Sequence, residues 1–273
     1  MTDQYAAIGN PISHSKSPLI HSTFAKETGQ DISYGLIEGP LGEFRPTVDK
    51  FRDEGARGLN ITAPFKLDAF QYADELSDGA RAAGAVNAMK FERGKVLAEN
   101  FDGVGLVRDI VQNLGFPLAE RRVLLLGAGG ASRGLVLPFL RESPARFVIV
   151  NRTVSKAEHL AAEFSKFGQV ETSGYSELKQ DRFDVVINAT SASQREALPE
   201  LRSDAFRAGC LAYELNYGKG LTPFLRLAQS AGAGKLADGV GMLVEQAAEA
   251  FAWWRGMRPL TREIIEKITV PLA

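Results

Sequence analysis

The chain has 273 residues, 45% of them hydrophobic, with 32 basic and 33 acidic side chains and a net charge of −1. That length suits one large domain or two ordinary ones, and the charge balance gives no pull toward nucleic acid or an anionic membrane surface, so a small-molecule partner is expected. One cysteine, Cys210, excludes an intramolecular disulfide and with three histidines makes a poor zinc set, so no metal is expected. No signal peptide and no run of about eighteen apolar residues is present, and a cytoplasmic compartment is expected.

Short β-like runs alternate with amphipathic stretches, the pattern of a mostly parallel α/β protein. The spacing predicts a strand over Tyr5–Gly9, then a helix from Pro18 to about Glu27, capped by Ser17 and ended by Gly29. Strands follow at Ile32–Glu38 and Gly58–Thr62, and Pro64 opens a helix over Phe65–Asp74. Ala85–Lys90 and Val96–Glu99 flank a hairpin turn at Arg93-Gly94. A helix is predicted over Val104–Leu114, ended by Gly115, with Asp102 as a candidate cap. Beyond it, Arg122–Leu126, Arg146–Val150, Asp184–Asn188 and Cys210–Leu215 read as strands, Cys210 being a small buried hydrophobe. Gly239–Arg255 and Thr261–Ile268 close the chain as helices.

The fold class expected is α/β with two domains separated by a cleft. Residues 1–101, completed by helices in 238–273, would form a mostly parallel α/β substrate domain, and residues 102–237 a Rossmann-type dinucleotide-binding domain. The segment RVLLLGAGGASRG, residues 122–134, is the clearest local signal: a buried strand, a glycine-rich turn, then a helix. Gly127 permits the tight turn and Gly129 the approach of a pyrophosphate, while Ala128, Gly130 and Ala131 lead to a helix N-terminus with free N–H groups. Ser132 stands as a small substitute at the third glycine position of the fingerprint. After the next strand comes Asn151-Arg152-Thr153, with Lys156 a turn further, where an NAD site usually places an acid. A carboxylate would repel a 2′-phosphate, whereas Arg152 offers a planar fork of donors, so the cofactor expected is NADP.

Polar residues also gather where strands of the first half end. Ser15 and Ser17 precede a helix, so hydroxyls and free N–H groups can converge on a carboxylate. Asn60 and Thr62 share a strand face, and Lys66 falls in the first turn of the next helix, a position the helix dipole opposes for a cation, which makes it a candidate acid or base. Asp102 could pair with it.

Taken together, GNPISHSKSP, NITAPFK, GAVN, NFDG, GAGGASRG, NRT, NAT and DGVGML resemble, in order and from end to end, the shikimate dehydrogenases. The resemblance implies NADPH-dependent reduction of 3-dehydroshikimate to shikimate, and the reverse, in aromatic amino-acid biosynthesis. It implies that Lys66 and Asp102 are the acid–base pair, that Ser15 and Ser17 hold the substrate carboxylate, and that Thr62, Asn87 and Gln246 bind ring hydroxyls with Tyr217 beside the substrate. It adds Thr190, Leu215 and Gly239 to the cofactor contacts, and implies a monomer or homodimer.

Four departures stand out. Phe101 replaces the threonine of the family's N-T-D-G, Ala63 a valine before Pro64, Ser193 the glycine of N-A-T-S-x-G, and Glu214-Leu215 the usual D-M. These leave two rivals: a quinate or aminoshikimate dehydrogenase, and a non-catalytic NADPH- or metabolite-binding sensor. Keeping Lys66 and Asp102 together argues against the sensor.

Overall fold

Alternating apolar runs and glycine breaks produce a strand wherever the sequence demands burial on both faces. The computed structural model describes residues 2–178 and 181–272. In chain order the first half contains β1 (Asp3–Gly9), α1 (Ser17–Thr28), β2 (Ile32–Glu38), α2 (Phe44–Asp53), β3 (Gly58–Ile61), α3 (Lys66–Tyr72), β4 (Glu75–Leu76), α4 (Asp78–Ala83), β5 (Ala88–Glu92), β6 (Lys95–Glu99) and α5 (Asp102–Arg108). Its six strands form one sheet in the order β2-β1-β3-β5-β6-β4. The sheet is mixed: β1–β2, β1–β3 and β4–β6 pair parallel, β3–β5 and β5–β6 antiparallel. The antiparallel pair arises from the predicted hairpin, where Arg93 (φ 52°) and Gly94 (φ 77°) both take positive φ, as a turn matching the strand twist requires.

Two helix starts differ from the sequence reading. Ser17 lies inside the first turn of α1 instead of capping it, and the Ser15 hydroxyl accepts its N–H at 3.2 Å. Asp102 is likewise the first residue of α5, and Asn100 Oδ1 accepts its N–H at 3.1 Å. The predicted helix Val104–Leu114 divides into α5 and a π-helical turn over Asp109–Asn113. α2 and α4 have no counterpart in the sequence reading. α2 carries a helical stripe of Phe44, Val48 and partly buried Phe51, whereas α4 spans six residues and buries only Ala80 and Ala83, too little to mark a period.

The second half contains β7 (Arg122–Leu126), α6 (Gly130–Arg141), β8 (Arg146–Val150), α7 (Val154–Phe164), β9 (Glu171–Ser173), β10 (Phe183–Asn188), β11 (Phe206–Glu214), α8 (Pro223–Ser230), β12 (Lys235–Asp238), α9 (Val240–Arg255) and α10 (Arg262–Ile268). Its sheet is parallel throughout, in the order β12-β11-β10-β7-β8-β9. Read from β7 this is the doubly wound 3-2-1-4-5-6 order, whose direction reverses between β7 and β10. Leu124, Leu126, Val148, Val150, Val186 and Ala212 supply its core.

The chain divides into two compact units, Met1–Gly105 with Leu243–Lys267, and Leu106–Met242 with Ile268–Ala273. The divisions fall four to five residues beyond positions 101 and 237–238, inside α5 and α9, because no linker composition marks either crossing. Among the described residues no helix is long and apolar enough to cross a membrane.

The first unit buries His21 completely, its ring parallel to Tyr34 at 4.2 Å and tilted on Trp254 at 5.5 Å. Burial pushes the imidazole down to about 3, opposed by the Asn60 side chain. An unfolded chain binds a proton here below about pH 6.5 that the folded chain refuses, so stability falls as pH falls through that window, by at most about 1.4 kcal/mol per pH unit. Urea unfolding of a His21→Phe variant should show a shallower loss of stability than the parent between about pH 6.5 and 4. Equal slopes would contradict this.

Candidate active site

In the first unit Lys66, Asn87 and Gln246, three of the predicted substrate-side residues, gather around one carboxylate. Asp102, opening α5, accepts from Lys66 Nζ through Oδ2 at 2.5 Å and from Asn87 Nδ2 through Oδ1 at 2.8 Å. Lys66 is the first residue of α3, and the two side chains keep 32% and 20% of their surface exposed. The pair is therefore reachable by a small molecule, with Lys66 keeping further N–H donors for a carbonyl or hydroxyl oxygen. Asn87 is buried: its Nδ2 also reaches Gln246 Oε1 at 3.3 Å, and its Oδ1 accepts the Phe101 N–H at 2.9 Å through one of two lone pairs. Gln246 itself donates to Leu243 O at 2.8 Å.

Gly105 explains how Gln246 comes so close. A Cβ at Gly105 would lie 2.7 Å from the Gln246 backbone N and 3.0 Å from its Cα, so bare glycine lets α5 and α9 touch backbone to backbone. Gly9 plays the same part for Thr62. A side chain there would overlap Thr62 Cγ2 and Ile12, and Thr62 instead settles against β1 with its N–H on Ile8 O at 3.0 Å.

Ser15 and Ser17 lie side by side, hydroxyl to hydroxyl at 3.1 Å. Two partners of this region escaped the sequence reading as site residues. The Tyr34 hydroxyl donates to Asn60 Oδ1 at 2.7 Å, and Asn60 Nδ2 donates to Asn87 O at 3.3 Å, joining that corner to the Asp102 network. Burial raises the Tyr34 phenol, with the Ser17 hydroxyl beside it acting the other way, so Tyr34 serves as a neutral donor. Alternation placed Asn60 beside Thr62, but nothing in a lone strand tyrosine marks a partner 26 residues away. The Phe101 ring turns toward the aromatic cluster, edge-on to Trp253 at 5.9 Å, while its backbone keeps the bond to Asn87.

The second unit holds a pocket of about 560 Å³ at the carboxyl ends of β7, β8 and β10, where an open sheet that reverses its strand order binds ligands. Gly127, Ala128, Gly129, Gly130, Ala131, Asn151, Arg152, Thr153, Lys156 and Thr190, all predicted cofactor residues, line it. Gly127 needs its φ of 104°, and a Cβ there would crowd Thr190 Cγ2 at 3.3 Å and Ser132 Oγ at 3.4 Å. At Gly129 and Gly130 a Cβ would stand in open space, leaving a bare backbone cradle before the first turn of α6. Ser132 Oγ is buried there without a hydrogen-bond partner. These features fit a dinucleotide's pyrophosphate, and Arg152 with Lys156 fits a further phosphate.

Three predicted residues stand apart from this lining. Leu215 and Gly239 meet each other past the ends of β11 and β12, where a Cβ at Gly239 would strike the Leu215 carbonyl. Tyr217, 39% exposed, belongs to the second unit and not to the Asp102 cluster. Conversely, the pocket recruits Tyr175, Arg195 and Glu200, which no motif announced. Burial with Glu200 nearby pushes the Tyr175 phenol up to about 12, against the pull of Arg152.

Residues 7–89 match the shikimate dehydrogenase substrate binding domain, residues 106–201 the shikimate / quinate 5-dehydrogenase family, and residues 239–268 the shikimate 5′-dehydrogenase C-terminal domain. A shikimate dehydrogenase (NADP(+)) of Chromobacterium violaceum is 56% identical over 273 residues, covering 100% of both chains. The crystal structure of an Ael1 enzyme from Pseudomonas putida aligns with a TM-score of 0.96 at 58% identity, covering 100% of both chains. That of shikimate 5-dehydrogenase from Thermus thermophilus with NADP(H) and shikimate aligns at 0.84 and 32% identity, covering 97% of this chain and 98% of the other.

A Gly105→Ala variant tests the helix contact on which the cluster rests. Alanine gains up to about 1 kcal/mol of helix propensity. The overlap falls on Gln246 backbone, which cannot swing aside, so a net loss of about 1–3 kcal/mol in unfolding free energy is expected from chemical denaturation. A variant as stable as the parent would refute the close contact.

Proposed function

This chain belongs to the shikimate dehydrogenase family, and we propose that Lys66 and Asp102 are its acid–base pair. The enzyme is an oxidoreductase that interconverts shikimate and 3-dehydroshikimate with NADP. Nothing observed favours the quinate, aminoshikimate or non-catalytic readings. The observation carrying the assignment of roles is the 2.5 Å contact of Lys66 Nζ with a carboxylate that Asn87 holds from its other side.

When bound, NADPH supplies the hydride for the ketone carbon. Lys66 gives a proton to the ketone oxygen during reduction and takes it from the hydroxyl during oxidation. Asp102 orients the ammonium group and balances its charge, and Asn87 keeps Asp102 from rotating. Ser15 and Ser17 hold the substrate carboxylate through their paired hydroxyls. Thr62, Asn87 and Gln246 bind ring hydroxyls, and Tyr217 lies beside the substrate. Gly127 to Ala131 cradle the pyrophosphate and Arg152, Thr153 and Lys156 take the 2′-phosphate, with Asn151 shaping their turn through its 2.8 Å bond to Thr153 O. Thr190, Leu215 and Gly239 complete the cofactor contacts. Substrate-side roles thus fall mainly to the first unit and cofactor roles to the second. A cytoplasmic compartment fits the one cysteine, Cys210, buried and unpaired. The assembly is a monomer or homodimer, which sedimentation velocity distinguishes.

Shikimate-dependent NADP reduction, followed by absorbance, should fall on the order of 10²–10⁴-fold in Lys66→Ala while NADP affinity holds. Turnover near the parent rate would remove Lys66 from the chemistry. For Arg152→Ala, KM for NADP should rise roughly 10- to 100-fold with little change for NAD, since only the 2′-phosphate loses a charged hydrogen bond. An equal loss for both cofactors would show that Arg152 does not read that phosphate.

A further inference from the structure

Two of the departures noted in the sequence, Ser193 for glycine and Glu214 for aspartate, meet in the fold. Glu214 ends β11 with no exposed surface, and Ser193, 1% exposed, sits in the short 3₁₀ turn Ala192–Arg195. The Ser193 hydroxyl donates to Glu214 Oε2. The same oxygen accepts from Asn188 Nδ2 at 2.9 Å and the Thr222 hydroxyl at 3.3 Å, while Oε1 accepts the Asn216 N–H and Nδ2, each at 3.2 Å. A buried carboxyl is tolerated only when donors surround it, and here they do. Aspartate would draw the carboxyl back by about 1.5 Å, and glycine at 193 would leave no hydroxyl to meet it. The extra methylene and the extra hydroxyl match each other.

Neither side chain lines the cofactor pocket, but both are tied to its wall. Asn188, held by Glu214, accepts the Thr190 N–H at 3.1 Å and hydroxyl at 2.7 Å through Oδ1. Thr190 Oγ1 in turn accepts the Ala192 N–H at 3.3 Å. Lys219 Nζ reaches Ser193 O at 3.3 Å from the far side. The wall so fixed contributes Thr190, Ser191, Ala192 and Arg195 to the pocket, and Arg195 adds a third cation to Arg152 and Lys156.

We propose that Ser193 and Glu214 are a matched positioning pair that fixes the 190–195 wall of the NADP pocket and with it the placement of Arg195. The inference rests on reading that pocket as the NADP site. It predicts an effect on cofactor binding that is separate from the proton chemistry of Lys66 and from substrate affinity.

The test is fluorescence titration of NADPH into the ligand-free parent, Ser193→Ala, Glu214→Gln and the double variant, with thermal unfolding and steady-state kinetics beside it. Ser193→Ala removes one oxygen and leaves Glu214 four other donors, so it keeps the fold. Each single variant should weaken NADPH binding about 5- to 20-fold, raising KM for NADP with kcat and KM for shikimate within about twofold. The double variant should bind no worse than the weaker single one, since both remove the same link. Parent-like NADPH affinity in Ser193→Ala, or a loss of thermal stability without a loss of affinity, overturns the pair. A parent protein that binds no NADPH overturns the pocket reading and the pair with it.

Discussion

Asp102 has two oxygens, and each is committed: one to Lys66 Nζ at 2.5 Å, the other to Asn87 Nδ2 at 2.8 Å. Much of the first unit follows from keeping that carboxylate in place. Lys66 begins α3, after a turn through Ala63 and Pro64 that follows the end of β3 at Ile61. Asn87 must stand at the start of β5, where its carbonyl also accepts the Ile61 N–H at 2.9 Å and its side chain caps the Phe101 N–H. Asn100 takes the N-terminal capping role that Asp102 would otherwise fill, which frees the Asp102 carboxylate for Lys66. An ion pair that keeps part of its surface in water contributes little to stability, so its upkeep by so many elements is better explained by chemistry than by folding.

The second unit obeys a different constraint, the need for bare backbone N–H groups at a helix start beside fixed cations. Its parallel sheet aims the ends of β7, β8 and β10 at one pocket, and each strand contributes a distinct chemistry there. The turn after β7 offers glycine backbone, the turn after β8 Arg152 and Lys156, and the turn after β10 the wall held through Asn188 and Glu214. Because that wall is irregular, its geometry depends on side chains beneath it, which is where two of the chain's departures from the family's usual motif lie.

The elements most legible in the sequence were those with a strong local cause. Unbroken apolar runs at 123–126 and 147–150 are strands because both faces are buried, and Gly29 and Arg93-Gly94 end or turn elements because of their φ preferences. Lys66, Asp102 and Asn87 lie 15 to 36 residues apart, yet motif order placed them together as the structure does. What stayed hidden was set by tertiary contact. Tyr34 acts on Asn60 across β1, α4 buries only two alanines and so shows no period, and Arg195 and Glu200 reach the pocket from a short 3₁₀ turn and the loop after it. The Ser193–Glu214 match was visible only as two separate oddities until the fold joined them.

On the proposed mechanism Asp102 acts on the chemical step through Lys66 and does not serve mainly to bind ligands. Single-turnover kinetics of an Asp102→Asn variant, preloaded with NADPH and mixed with 3-dehydroshikimate, addresses it directly, with shikimate and NADPH affinities measured alongside. Asparagine keeps the shape but loses the charge that balances Lys66, so affinities near the parent's with a hydride step slowed on the order of a hundredfold or more are predicted. A variant that transfers hydride at the parent rate, or loses only ligand affinity, would contradict the account.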